Sequence, residues 1–518
     1  MSRLKNFSRN LATSYLQLGV NVVYSLASVP LILHWLPRTE FGMWATLTQL
    51  LGYVSLIDLG MTSAVARVLV DYKDRRSEGG YGSLVKTSFL VSLTQGVIIL
   101  ATVTLGAPVL AELMKIPDAY QATFIALLRW QGLLTACSFS LRPFGLMLYA
   151  HQRMDLQACS EMCSLMAQLG LLLLFLMKGC GIYSFIYASA ATVWFGPAFL
   201  FWNCRRLKLL PQAGEWGPAS WNIFKDVFSY GKDVFLMTLG YQLQMASQTI
   251  VVSRSFGLAQ AATWSVGSKM FSLLVPLMCR PYGAALPGLF EMNTRHERER
   301  LTERYRTMVL LTASLGAFLG VALILCNSFF VQTWTAGKIS WSPVNDLLLG
   351  GWLFVLSMQT THCNFVTVTK QIGGMRYYLF LEGLSFIVVT SWFSGRWGIP
   401  GMLATSILCT LAFTYQYSMR RSRDFFQLPL KVLMVDWVRP SLNLALVFGA
   451  VAGATWFCTT GLTSLWRLAI HATVTGTVGV WLLLRLGLRP GMIQEASMRL
   501  PRPAGRLLQW LVPGKTMP

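Results

Sequence analysis

Charge is what this sequence lacks most. Asp, Glu, Lys and Arg together make up 12% of its 518 residues, about half the share usual in soluble domains. Acids are the scarcer half, at 21 against 43 bases. The ten cysteines are scattered (137, 159, 163, 180, 204, 279, 326, 363, 409, 458) with no C-x-x-C pair. The five histidines (34, 151, 296, 362, 471) share no ligand spacing. No metal centre or cofactor is therefore expected, and the cysteines read as small core residues. The most charged stretch, the loop Glu291–Arg306, reads as a solvated helix end between two apolar runs.

What is present is apolar. Hydrophobic residues make up 54% of the chain and the mean hydropathy is +0.51, with the charges gathered in clusters between long greasy runs. A membrane span needs about 20 such residues. The runs 11–33, 42–66, 84–108, 121–148, 156–177, 182–203, 227–252, 259–289, 307–333, 346–369, 377–394, 398–419, 437–459 and 464–486 predict an all-α polytopic protein of about 14 spans. The basic start, Met1 to Arg9, imitates a signal peptide, but the following run is long and has no convincing cleavage site, so it reads as the first span.

The net charge of +22 raises the question of nucleic acid, and the loops answer it. Sorted over alternating sides, 31 of the 43 Lys and Arg fall on the side of the termini, 7 on the other and 5 inside spans. Excess Lys and Arg marks the cytoplasmic side. Both termini are thus expected inside, and no nucleic-acid partner is. The outer loops are short, the longest being Trp334 to Asn345, and hold only the acids Glu40, Glu112, Asp118 and Asp346. They leave no room for an enzyme domain, and no residue is nominated as catalytic.

A weak repeat recurs at an offset of 220–221 residues. Trp44 falls on Trp264, Met154 on Met375 and Glu161 on Glu382. An offset of six spans predicts two six-helix lobes, 1–208 and 209–430, followed by spans 13–14 (431–490) and a basic cytoplasmic tail (491–518), as in transporters built from repeats.

The stretch from Leu36 to Arg76 carries Phe41-Gly42 and Trp44 at the opening of span 2, then Asp58-Leu59-Gly60, Ala64 and Arg67. It resembles the polysaccharide-biosynthesis (O-antigen-type) flippases of the multidrug/oligosaccharidyl-lipid/polysaccharide (MOP) exporter superfamily. Tyr149 to Asp155 is similar to that family's span 4–5 loop. The resemblance implies two lobes around a central cavity and alternating access. It also implies outward movement of a lipid-linked oligosaccharide across the bacterial inner membrane. The usual carrier would be undecaprenyl pyrophosphate, and the partners would be membrane lipid, a glycan polymerase and glycosyltransferases.

Charges inside spans are costly and mark pathways or buried pairs. They are Asp58, Arg129, Arg142, Glu161, Lys232, Asp233, Lys269, Arg280 and Glu382. A pyrophosphate lipid calls for cations, and guanidinium suits phosphate by its fork of donors. Arg280, Lys269, Arg142 and Arg129 are the head-group candidates, with pairing to Asp58, Glu161 or backbone carbonyls as the structural alternative. Lys269 and Arg280, eleven residues apart, share one helix face about 16 Å apart. Arg129 and Arg142 diverge unless Pro143 bends the span. Arg67 reads as an interfacial snorkelling residue.

Gln17 and Asn21, with Ser14, Ser25 and Ser28, form a polar stripe on span 1, and Tyr241, Gln244 and Gln248 form one on span 7. These stripes suit sugar hydroxyls, or equally hydrogen bonds between packed spans. Coupling or gating requires an acid, for which Asp58, Glu161 and Glu382 are available. The rival functions are a multidrug antiporter of the same superfamily, a lipid II-type flippase, a membrane glycosyltransferase, polymerase or ligase, and a scramblase or scaffold. The antiporter would be expected to carry an acid in span 1, where this chain has none, and cations inside spans disfavour a cationic cargo.

Overall fold

A computed structural model describes residues 3–72, 80–151, 153–212, 214–369, 372–429, 431 and 434–493. The basic segment 73–79 and the tail from 494 lie outside the described residues, as do the side chains of Ser14, Arg67, Lys232, Asp233 and Arg280. Among the described residues the chain is helical, with no strand. Nine stretches of the described residues are long and apolar enough to cross a bilayer. Each of the other five expected spans is helical as well, three of them as pairs of shorter helices. Hydrogen-bond demand explains the choice of structure: a helix satisfies its own N–H and C=O groups where no water can.

The chain forms two compact units, Met1–Ala262 and Thr263–Pro518. In the first, α1 (Arg3–Trp35) is followed by α2 (Arg38–Val54), α3 (Met61–Tyr72), α4 (Gly80–Leu113), α5 (Asp118–Ser140), α6 (Pro143–Ala150), α7 (Met154–Met177), α8 (Ser184–Arg206), α9 (Trp221–Met245) and α10 (Ser247–Phe256). α4 packs along α5, α7 along α8, and α1 along α7. Gly42, in the Phe-Gly-x-Trp opening of span 2, sits where α2 meets the turn after α10. A Cβ there would stand 1.8 Å from the Leu258 carbonyl oxygen, so only glycine fits.

Span 2 is interrupted. α2 passes into a single 3-10 turn, Ser55–Asp58, and then Leu59 and Gly60 both take positive φ (49° and 72°) before α3 begins. Two consecutive left-handed residues end a helix, and glycine makes the second of them cheap.

The boundary between the units falls within α11 (Leu258–Gly267); the second unit is built on α13 (Arg298–Trp334), which follows α12 (Lys269–Thr294). α13 is its axis. Its 37 residues extend about 55 Å, and 78% of its apolar window is buried, against 17–50% for the other spanning stretches. Around it lie α14 (Pro343–Val368), α17 (Arg439–Cys458) and α18 (Ser464–Val474), the last continued by wider turns to Gly487. α15 (Met375–Thr410) covers expected spans 11 and 12 together, broken at Gly398 (φ 61°, ψ −152°). That conformation is open only to glycine. α16 (Gln416–Phe426) completes the unit.

Candidate functional site

The break in span 2 gathers polar groups from three parts of the first unit. The Asp58 carboxylate accepts from the backbone N–H of Thr62 (3.2 Å) and from its hydroxyl (2.5 Å), capping α3. The carbonyls freed by the break are met from α4, where the Gln95 side-chain amide donates to Asp58 O (3.1 Å) and Ile57 O (3.4 Å). Irregular backbone at membrane depth needs such partners.

Arg142 approaches from the turn between the next two helices. Leu141 and Arg142 form the turn between α5 and α6, and Pro143 is the first residue of α6, a position where its missing N–H costs nothing. Arg142 Nη1 lies 3.5 Å from Asp58 Oδ1 and 3.3 Å from Thr62 Oγ1, and its guanidinium carbon lies 3.4 Å from the centre of the Phe139 ring. The side chains of Asp58 and Arg142 are 17% and 34% exposed. The pair is therefore neither fully solvated nor sealed, and a guanidinium joined to its acid through one terminal nitrogen has further donors to offer.

The other candidates are placed less alike than their sequence positions suggest. Arg129 lies exposed on α5, its Nε donating to the Thr104 carbonyl (3.4 Å). It does not join Arg142; the α5–α6 turn separates them. Lys269 opens α12, half-buried. Arg280 is on the same helix, and its side chain falls outside the described residues.

Glu161 and Glu382, matched in the repeat, occupy different surroundings. Glu161 is exposed on α7 and accepts from Gln17 of α1. Glu382 is 0% exposed, accepting from Thr410 (2.9 Å) and from Gln359 of α14 (3.3 and 3.5 Å). On span 1, Asn21 and Ser28 turn back to their own helix, donating to the carbonyls of Gln17 (3.1 Å) and Ser25 (3.4 Å). On span 7, Tyr241 is exposed, whereas Gln244 and Gln248 are buried.

Three polar centres were not singled out from the sequence. Gln95 and Thr62 complete the Asp58 site. Asp346, expected in an outer loop, is instead 0% exposed in the first turn of α14. It accepts from Asn327 Nδ2 and Trp341 Nε1 (both 2.6 Å) and from Ser328. Asn327 donates on to Gly267 O (2.9 Å), so one carboxylate fastens α11, α13, α14 and the loop before α14. Asp436 pairs with Arg306 and with Arg489 (3.4 Å), binding the segments on either side of the last two spans to α13. A lone amide in an apolar run (Gln95, Gln359) was the available signal for the buried acids.

An apolar cavity of about 710 Å³ lies beside the break, lined by Ile57, Leu59, the α4 residues from Thr87 to Ile98, and Trp221, Phe224 and Phe228 of α9. Among the described residues there is no cluster of His, Cys, Asp or Glu that could hold a metal.

The comparisons with known proteins agree with this architecture. A family model described as "Polysaccharide biosynthesis protein" matches residues 35–342, well over half of the chain. The chain belongs to this polysaccharide biosynthesis protein family. No curated protein matches it by sequence.

Among solved structures, the fold is that of MOP-superfamily transporters. The lipid II flippase MurJ in an inward closed conformation matches with a TM-score of 0.68 at 13% identity, over 91% of this chain and 97% of that one. An inward-facing multidrug resistance MATE family transporter of the MOP superfamily gives 0.63 at 14% identity, over 78% and 95%. A MOP superfamily transporter from Pyrococcus furiosus gives 0.55 at 15%, over 81% and 96%. The chain is thus a multi-pass membrane protein with the MOP transporter fold. The match to MurJ also takes in more of its length than the MATE match does.

Proposed function

We propose that the protein is a flippase that carries a lipid-linked oligosaccharide from the inner to the outer leaflet of a bacterial inner membrane by alternating access. Two lobes, 1–208 and 209–430, would do the moving. The observation that carries the reading is the Asp58–Arg142 pair at the broken span 2, in a chain of the polysaccharide biosynthesis family. A diphosphate head group presents more negative charge than Asp58 and accepts several donors at once. It would draw Arg142 from its carboxylate, leaving Asp58 with the α3 cap alone and an uncompensated charge at the break, which favours rearrangement there. Substrate binding and a change in span 2 become one event, as a switch requires. Lys269 and Arg280 would supply further cations, and Glu161 and Glu382 are the remaining gating candidates.

The antiporter reading meets two obstacles: span 1 has no acid, and the cation of the best-formed polar site would repel a cationic drug. A lipid II-type cargo shares the diphosphate lipid and differs only in its sugar.

The test is surface-glycan export in cells that depend on this gene. Arg142→Ala should abolish export at unchanged protein level, and Arg142→Lys should restore part of it, because lysine keeps the charge but loses the fork. Normal export with Arg142→Ala would overturn the assignment of this site. Export unaffected by deletion of the whole gene, with drug sensitivity instead, would overturn the function.

A further inference from the structure

The proposed function uses the polar side of the span 2 break and leaves the apolar side unexplained. Ile57 and Leu59, the two neighbours of Asp58, line the 710 Å³ cavity, while the Asp58 carboxylate is engaged by Arg142. Gln95 belongs to both places: it lines the cavity and holds the Asp58 carbonyl. On the orientation that the Lys and Arg distribution gives, the cavity lies in the cytoplasmic half of the membrane, along the first half of α4 and the first turns of α9.

One wall is aromatic. Trp221 stacks on Phe224 (4.8 Å between ring centres) and Phe224 on Phe228 (5.9 Å), a ladder running inward from the membrane surface. The remaining walls are Leu90, Val91, Ile98 and Met61, with Thr87, Thr94 and Ser220 between them.

Beyond the lining, the cytoplasmic end of the two walls carries Lys86 and Lys225, with the acids Asp226 on α9 and Glu215 against the start of α4. Lys225 is exposed and stands four residues after Trp221 and three before Phe228, on the face of α9 that lines the cavity. Lys86 is exposed on α4 one turn before Leu90, beside the lining face rather than on it. Asp226 is exposed too, but lies about 100° round α9 from Lys225. A greasy slot with an aromatic ladder inside and two ammonium groups at its mouth is complementary to a lipid with an anionic head and a long apolar chain.

Resting on the flippase reading, we infer that this slot seats the polyisoprenoid chain of a diphosphate-linked lipid carrier, with Lys86 and Lys225 meeting the diphosphate on entry, before it reaches Arg142. The aromatic ladder offers flat apolar area on which the planar units of such a chain can lie. Through Gln95 the occupied slot bears on the carbonyls of the span 2 break, so lipid entry and the Asp58–Arg142 switch share one piece of backbone.

The experiment is photolabelling of the full chain in nanodiscs of phosphatidylethanolamine and phosphatidylglycerol, using a short polyprenyl diphosphate bearing a diazirine near the end of its chain, with peptides mapped by mass spectrometry. Labels should fall on 87–98 and 221–228. They should be competed by unlabelled polyprenyl diphosphate and not by added phosphatidylglycerol. Val91→Trp, which fills the slot, should weaken labelling about tenfold. K86E/K225E should weaken it while leaving the protein folded. Leu105→Trp, on the outer half of α4 where the side chain is 79% exposed, should leave it unchanged.

Equal competition by phosphatidylglycerol would show an acyl-chain groove and overturn the inference. Labels concentrated on other peptides of the chain would overturn the slot and leave the lipid-carrier function standing. Labelling nowhere above the phospholipid background would overturn both.

Discussion

Asp58 and Arg142 face each other across a break in a helix, and each makes the other tolerable at membrane depth. Removing one partner of a buried pair costs about 3–5 kcal/mol. With 34% of the Arg142 side chain exposed, screening reduces the expected loss to about 1–3 kcal/mol. Asp58→Asn and Arg142→Gln should each lower the detergent-solubilised melting temperature, and the double variant should lose less than the two losses added together. Simple additivity in that cycle would mean that the pair is not coupled. Gly42 sets a different constraint. With a would-be Cβ only 1.8 Å from a backbone oxygen, Gly42→Ala should force α2 off the turn after α10 and reduce folded yield, measured by size-exclusion chromatography. The signature residues of span 2 were legible in the sequence as a motif; their reasons, a contact with Leu258 and a left-handed turn at Leu59–Gly60, were not.

At the scale of elements, amides in apolar helices hold the irregular places together. Gln95→Leu would leave the Ile57 and Asp58 carbonyls without their donor, at a cost of about 1–3 kcal/mol. Gln95→Glu would set a carboxylate against those carbonyls and should be worse. A melting temperature unchanged by Gln95→Leu would show that the break needs no support from α4. In the second unit, Asp346 fastens four segments through Asn327, Ser328 and Trp341. Asp346→Leu should therefore destabilise far more than Asp346→Asn, which keeps an acceptor oxygen. Hydropathy reads helix existence well, because a greasy run has no other stable structure in lipid. It reads interruptions poorly. The division of spans 2, 7 and 8 into paired helices turns on a few φ angles and on partners far away in sequence, such as Gln95 for Asp58, which periodicity does not record. Asp346 read as a loop acid for the same reason: its three donors come from a neighbouring helix end and a loop.

For the whole molecule, the scarcity of charge and the one-sided distribution of bases already defined a polytopic helical protein, and the family and the MOP fold agree with that reading. The candidate site was legible only in part. Asp58 and Arg142 stood out as charges within spans, yet 84 residues separate them, and only folding brings them together. Glu161 and Glu382 look equivalent in the repeat and are not equivalent in place, since side-chain environment depends on neighbours that the repeat does not copy.

The central claim is that an anionic, lipid-linked glycan crosses the membrane on this protein by way of Arg142. It is tested most directly in proteoliposomes loaded in one leaflet with a fluorescent polyprenyl diphosphate oligosaccharide, following its arrival in the other leaflet by accessibility to a membrane-impermeant quencher or glycosidase. Wild-type protein should move the lipid far faster than empty liposomes, Arg142→Ala should fall to the empty-liposome rate, and a neutral polyprenyl glycoside should not be carried. Equal movement of the neutral lipid, or full-speed movement by Arg142→Ala, would contradict the account.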